Sequence, residues 1–196
     1  FRDEEVKSQP GDKTVVLFTD SFGTWFEPQG LRDAVTVLQN SGYEVQALGA
    51  SSSSSRLCCG RTYLSSGLLR EARHEALKVI GRLHKFVESG IPVVGLEPSC
   101  MFTIRDDYPA LFPGPDSEAL ASHVQLLDEF LFQEHQKGRL KLPLRKISQE
   151  KIWVHGHCHQ KAANATGSTL GILKTIPGLE VELIPSSCCG MAGSFG

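Results

Sequence analysis

Three segments of this chain occur twice in the same order, and that duplication restricts the fold more than any other feature. TVVLFTD (14–20), SGYEVQAL (41–48) and RLCCGRTYLSSG (56–67) reappear as IWVHGHC (152–158), PGLEVELI (177–184) and SSCCGMAGSFG (186–196). An ordered internal repeat means one supersecondary unit built twice. The first copy is longer by a polar stretch, ASSSSS at 50–55, which reads as a solvent-facing connection.

Hydrophobic periodicity fills in the elements. Short apolar, β-rich runs predict strands at TVVLF, YEVQAL, IPVVGLEP, KIWVHGHC and LEVELI. Between them, helical spacing puts Leu31, Ala34, Val35 and Leu38 on one face of a helix over 28–40, with Pro28 in its first turn. A second helix over 68–87 aligns Leu69, Ala72, Ala76, Ile80, Leu83 and Val87; a third over 117–135 turns Leu120, Val124, Leu127 and Leu131 inward; a fourth lies near 166–176. Strands alternating with helices predict an α/β fold of two pseudo-repeated lobes, each with a mainly parallel sheet flanked by helices. The expected division is a linker at 1–12, a first lobe with an extra helix at 13–147, and a second lobe at 148–196. A helix, a strand and an EPSC segment follow the first cysteine pair and have no counterpart after the second, so the second lobe reads as truncated at its C-terminus.

With 40% hydrophobic residues, 196 residues can bury a sizeable core. A net charge of -2 with interspersed signs gives no footprint for nucleic acid or an anionic membrane. No apolar run is long enough for a transmembrane segment. The six cysteines accompany a core that needs no disulfide staples, so they read as reduced thiols and the compartment as cytoplasmic.

Adjacent side chains on a strand point to opposite faces, so Cys58-Cys59 and Cys188-Cys189 can serve one centre only where the backbone turns. The glycine after each pair permits that turn and lets a bulky group approach the main chain. Thiolates are the preferred ligands of iron–sulfur centres and of zinc. One such pair could be small buried hydrophobes; two at matching points of a repeat favour metal chemistry.

Cys58-Cys59-Gly60 and Cys188-Cys189-Gly190 resemble the signatures of the cysteine-rich CCG domain, shared by the heterodisulfide reductases and by iron–sulfur subunits of glycolate, lactate and glycerol-3-phosphate oxidoreductases. More narrowly, VVLFTDSFGTWFEP, GLEPSCMFTIRDDYPAL, VHGHCHQKA and SSCCGMAGSFG resemble the C-terminal region of bacterial FAD-linked, iron–sulfur oxidases and dehydrogenases of D-2-hydroxy acids. The resemblance implies electron transfer. A flavin domain and ferredoxin-like domains upstream in the same polypeptide would feed this region, which would pass electrons to a quinone or other acceptor. FAD belongs to the parent protein, and a [4Fe-4S] cluster to this region. The fragment alone is expected to be catalytically silent, with no catalytic residue of its own. Any contact with the inner face of the membrane would be peripheral and through a partner.

The implied cluster ligands in the second lobe are Cys158, Cys188 and Cys189. In the first lobe Asp20 aligns with Cys158 and the late CxxC is replaced by Glu97-Pro98-Ser99-Cys100, leaving Cys58, Cys59 and Cys100 with two candidate carboxylates. Zinc, or no metal in a structural or docking module, is the competing reading there, and a heterodisulfide-reductase-like site is the third.

Lesser signals have double readings. His155, His157 and His159 alternate along the strand end, on the face opposite Cys158, as ligands, as tuners of that site, or as edge polar groups. Asp20 and Glu97 end strands where open α/β sheets place ligands, yet each could cap the following helix. Arg105-Asp106-Asp107 reads as a solvated face, and Trp25 and Phe26 as core rather than a docking surface. Lys161 either offsets cluster charge or is solvated. No nucleophile elbow, Walker loop or dinucleotide fingerprint is present.

Overall fold

The computed structural model describes residues 13–49 and 56–186. The chain divides into two compact units, Phe1–Leu127 and Asp128–Gly196. The sequence places the lobe boundary at 147/148; packing places the unit boundary after Leu127, the first residue of a helix whose remainder belongs to the second unit.

In the first unit, β1 (Thr14–Thr19) is buried along its whole length, with Val15, Val16 and Leu17 fully enclosed. A strand apolar on both faces belongs inside a parallel sheet. It is followed by α1 (Ser21–Trp25), α2 (Pro28–Asn40), β2 (Glu44–Gly49), α3 (Arg61–Ser65), α4 (Leu69–Glu88), β3 (Val93–Gly95) and α5 (Pro98–Phe102). A π-helical turn (Thr103–Asp107), α6 (Tyr108–Leu111), α7 (Pro115–His123) and β4 (Val124–Leu126) complete the unit. The four strands are parallel in the order β2-β1-β3-β4. Chain order reverses at β1, with β2 on one side and β3 on the other, so a crevice opens beyond the C-terminal ends of β1 and β3, where such sheets hold ligands.

The helix faces are close to those expected. Leu31, Ala34 and Leu38 of α2 and Ala72, Ala76, Leu83 and Val87 of α4 are buried. Leu69, at the first residue of α4, is instead exposed, and Val79 and Phe86 take core positions. The expected single helix over 117–135 is interrupted. Ser122 Oγ and His123 Nδ1 both lie within hydrogen-bonding distance of the Ala119 carbonyl, at 2.7 and 2.9 Å, closing α7. Val124–Leu126 then pairs with β3, Val93 opposite Val124 and Gly95 opposite Leu126, covering an edge whose amide and carbonyl groups would otherwise lack partners. The π turn has a local cause as well: Pro109 has no amide proton to return to the Arg105 carbonyl, so the regular helical ladder cannot run through.

The second unit holds α8 (Leu127–Gln136), β5 (Lys151–Val154), α9 (Cys158–Ala162), α10 (Thr166–Leu173) and β6 (Glu180–Leu183). β5 and β6 pair in parallel from Lys151–Glu180 to Val154–Leu183. Asp128 accepts hydrogen bonds from Thr169 Oγ1 and, at 3.3 Å, from Gln160 Nε2, tying α8, α9 and α10 together. Burial pushes the Asp128 carboxyl above its ordinary range, and the Thr169 hydroxyl partly offsets that. The strand expected through Cys158 ends at Val154, because His157 begins the cap of the next helix. The α/β class with helix-flanked parallel sheets is as expected. No helix among the described residues is long and apolar enough to cross a membrane.

Candidate functional site

In the first unit the Cys58-Cys59 loop leads into α3 and Cys100 stands in α5 just beyond β3, so all three thiols lie at the C-terminal edge of the sheet. Gly60 makes the turn. Its φ of 80° is left-handed, and a Cβ there would lie 3.1 Å from the Ala72 carbonyl oxygen, so any other residue is strained and crowded. Cys59 is 4% exposed, and its Sγ lies 3.0 Å from Cys100 Sγ. The sulfur of Cys58 also accepts from the Gly60 amide at 3.4 Å. Hydrogen bonding to Cys59 and burial hold the Cys58 thiol well above its ordinary range; hydrogen bonding to Cys100, with burial, does the same to Cys59. Both are therefore protonated at neutral pH.

Sequence reasoning assigned no role to Tyr108, which clamps this site. Its hydroxyl donates to the Cys59 carbonyl at 2.9 Å, and the residue is 1% exposed. Burial, then the neighbouring thiols, raise its pKa far above the usual phenol range. The available signal was Pro109 directly after it, which breaks the helix and re-aims the ring.

Asp20 and Glu97 are both helix caps. Asp20 Oδ1 accepts from the Gly23 amide at 2.8 Å; Glu97 Oε1 accepts from the Ser99 amide at 3.1 Å and its hydroxyl at 2.5 Å. Both line a cavity of about 320 Å³ in the crevice, with Phe22, Phe26 and Leu96 among its walls. Burial raises the Asp20 pKa, the Gly23 bond opposes that, and the Glu97 charge adds to it. Trp25 and Phe26, expected in the core, are 59% and 76% exposed. α1 is five residues long and buries none of them, so Phe26 packs on Phe22 at 5.6 Å and Trp25 on the Arg56 guanidinium at 5.7 Å. Asp107 pairs with Arg61 at 3.1 Å, and Arg105 covers the Phe102 ring at 4.2 Å.

In the second unit Cys158 is the first residue of α9 and half-buried. Its histidines do not alternate along a strand. His157 is the N-cap and accepts from the His159 amide at 3.2 Å, and the two rings stack 5.2 Å apart. His155 Nδ1 meets Ser186 Oγ at 3.0 Å, and Lys161 Nζ donates to the Ser186 carbonyl at 2.9 Å. Cys188 and Cys189 lie outside the described residues.

These two donor sets differ in their fit to metal. Two thiolates on one tetrahedral zinc, each about 2.3 Å from it, stand about 3.8 Å apart, and iron–sulfur ligands on different irons stand farther apart still. The Cys59–Cys100 contact is shorter, and Asp20 and Glu97 each serve as a helix cap. Among the described residues, no three of His, Cys, Asp and Glu converge closely enough to hold a metal ion. The first-unit thiols thus do not fit a metal as arranged. In the second unit the described part of the donor set is Cys158, a soft donor on the same helix as Lys161, which holds Ser186.

The chain is similar to several curated proteins. It is 33% identical over 183 residues to a subunit of the anaerobic glycerol-3-phosphate dehydrogenase of Escherichia coli (strain K12), covering 93% of this chain and 44% of that protein. It is 25% identical over 195 residues to the D-2-hydroxyglutarate dehydrogenase of the same strain, 98% of this chain and 18% of that one. Lactate utilization protein A of Oceanobacillus iheyensis is 27% identical over 172 residues, 84% and 65% respectively. The chain spans less than half the length of the first two. No family model and no solved structure matches it.

Proposed function

We propose that this chain is an electron-transfer segment of a larger FAD-linked oxidoreductase acting on a D-2-hydroxy acid or similar small hydroxylated substrate, with Cys158, Cys188 and Cys189 contributing to an iron–sulfur centre. The observation that carries this reading is the double tether of Ser186. His155 and Lys161, from either side of Cys158, both bind the residue two positions before Cys188. Ser186 is thereby held by the two residues that flank Cys158 in sequence. The relatives' names, two dehydrogenases and a lactate utilization protein, agree with a redox role.

A [4Fe-4S] cluster bound here would supply single-electron carriage between a flavin and a quinone or other acceptor. This chain's own residues would set its environment: Lys161 brings positive charge, and the stacked His157 and His159 shape the approach to Cys158. The flavin and ferredoxin-like domains, and any peripheral docking at a membrane, belong to the parent protein.

Anaerobic reconstitution with iron and sulfide, followed by metal analysis and EPR, tests the reading. The expected result is iron with matching sulfide, reduced at least severalfold by Cys158→Ser. Stoichiometric zinc without sulfide, or iron loading indifferent to Cys158→Ser, would overturn it.

A further inference from the structure

We propose that Cys59 and Cys100 form a reversible dithiol–disulfide couple, giving the first unit a two-electron thiol site of its own. The inference does not rest on the cluster reading of the second unit.

Distance is the first argument. The two sulfurs are 3.0 Å apart, closer than two thiolates sharing a zinc, and only about 1 Å of closure separates them from a disulfide bond. Framing is the second. The cysteines are 41 residues apart in sequence, yet each is fixed by its own support: Cys59 through the Tyr108 hydroxyl on its carbonyl, Cys100 through the helix capped by Glu97. Partner choice is the third. Neighbouring residues across a trans peptide have Cα atoms about 3.8 Å apart, below the roughly 4.4 Å minimum usual for a disulfide, so Cys58–Cys59 is the disfavoured pair. Asp20 and Glu97 each cap a helix, and among the described residues no three of His, Cys, Asp and Glu are grouped to hold a metal ion.

Exposure assigns the roles. Cys100 is half-buried and within reach of a small molecule, whereas Cys59 is buried. With a soluble disulfide as oxidant, Cys100 sulfur loses its proton, attacks one sulfur of the disulfide, and releases the other half as a thiol that takes up that proton. Cys59 sulfur then loses its proton, attacks Cys100 sulfur, and expels the second half, again as a thiol. Two protein thiols become one disulfide, one small disulfide becomes two thiols, and two electrons have moved.

The test uses the full chain, purified anaerobically and equilibrated in glutathione buffers of increasing oxidised fraction, then acid-quenched, alkylated and peptide-mapped. A Cys59–Cys100 cross-linked peptide should accumulate as the oxidised fraction rises, cost two free thiols per chain, and disappear on adding dithiothreitol. Cys58→Ser and Cys158→Ser should leave that cross-link in place, and Cys100→Ser should abolish it. Because the mapping works on the unaltered chain, a variant that fails to fold leaves the test intact. In urea the selectivity for this pair should be lost. A Cys58–Cys59 disulfide, no cross-link in fully oxidised buffer, or zinc or iron bound stoichiometrically and lost in Cys100→Ser would each overturn the proposal. Since Cys158→Ser is read by iron and the cross-link by mapping, the two readings fail separately.

Discussion

Both units contain a strand followed by a capped helix, β1 with α1 and β5 with α9, but in opposite surroundings. β1 is buried at every position, whereas β5 alternates exposed and half-buried residues, with Trp153 58% exposed. The first ladder has six registered pairs and ends with Gly49 beside Thr19; the second has four and stops at Val154. Cap geometry also revises the repeat. Sequence alignment sets Asp20 opposite Cys158, but the N-caps are Asp20 and His157, and the ladders start at Thr14–Glu44 and Lys151–Glu180. Cys158 thus corresponds to Ser21. Asp20 is not a carboxylate standing in for a missing thiol; it does the capping work that His157 does in the other unit. The lesson is that equivalent folds carry non-equivalent chemistry: Cys59 meets Cys100 in one unit, while in the other Cys158 opens a helix whose Lys161 holds Ser186.

The sharpest way to break this contrast is at the end of the longer ladder. A Cβ at Gly49 would lie on the Thr19 backbone carbonyl oxygen, which cannot swing aside as a flexible side chain could. Gly49→Ala should therefore cost about 3 kcal/mol, the upper part of the overpacking range, and shorten the first ladder towards the length of the second. Thermal or urea unfolding gives the cost, and hydrogen exchange at Phe18 and Thr19 locates it. The next effect is smaller and sharpens the thiol difference. Tyr108→Phe leaves a buried carbonyl without its donor, so about 1–3 kcal/mol should be lost. With Cys59 no longer clamped, its labelling by a thiol reagent should accelerate while that of Cys158 stays unchanged. Equal acceleration at both would mean that Tyr108 supports the fold generally rather than the Cys59 site.

Much of this was legible in the sequence because buried strands and amphipathic helices write their period directly. The all-apolar TVVLF run and the Leu31, Ala34, Leu38 stripe each marked an element that packs as expected. What escaped were features set by hydrogen-bond partners distant in sequence. Val124–Leu126 keeps a helical period with its neighbours, yet the open edge of β3 captures it as a strand. Trp25 and Phe26 look like core residues, but their helix is too short to reach the sheet. The grouping of Cys58, Cys59 and Cys100 was an expectation from the resemblance to the CCG signature. The 3.0 Å contact within that group, and the Tyr108 clamp that frames it, join residues more than 40 positions apart and could not be counted off the chain.

The smallest expected effect concerns how the shorter ladder is held. Lys151 at the start of β5 reaches across to Glu182 at 2.8 Å and Glu180 at 3.1 Å, with its ammonium 4.5 Å from the Trp153 ring centre. All of these groups are at the surface, so water and salt weaken their attraction. The Glu182 hydrogen bond, then that of Glu180, raises the Lys151 pKa above 10.5, and the Lys151 hydrogen bond lowers that of Glu182 below 4.5. A raised lysine contributes stability that is complete below its ordinary value and lost as pH climbs through the raised one. A lowered carboxylate contributes stability that is complete above its ordinary value and lost as pH falls through the lowered one. The Lys151 network should therefore act between about pH 4.5 and 10.5 and fade on either side. Lys151→Gln should lower the melting temperature slightly at low salt within that window, and the difference should vanish in concentrated salt, where charges beyond about 3 Å are screened. The buried first ladder offers no such handle, so a comparable salt dependence tracked at β1 by hydrogen exchange would erase the distinction between the two units.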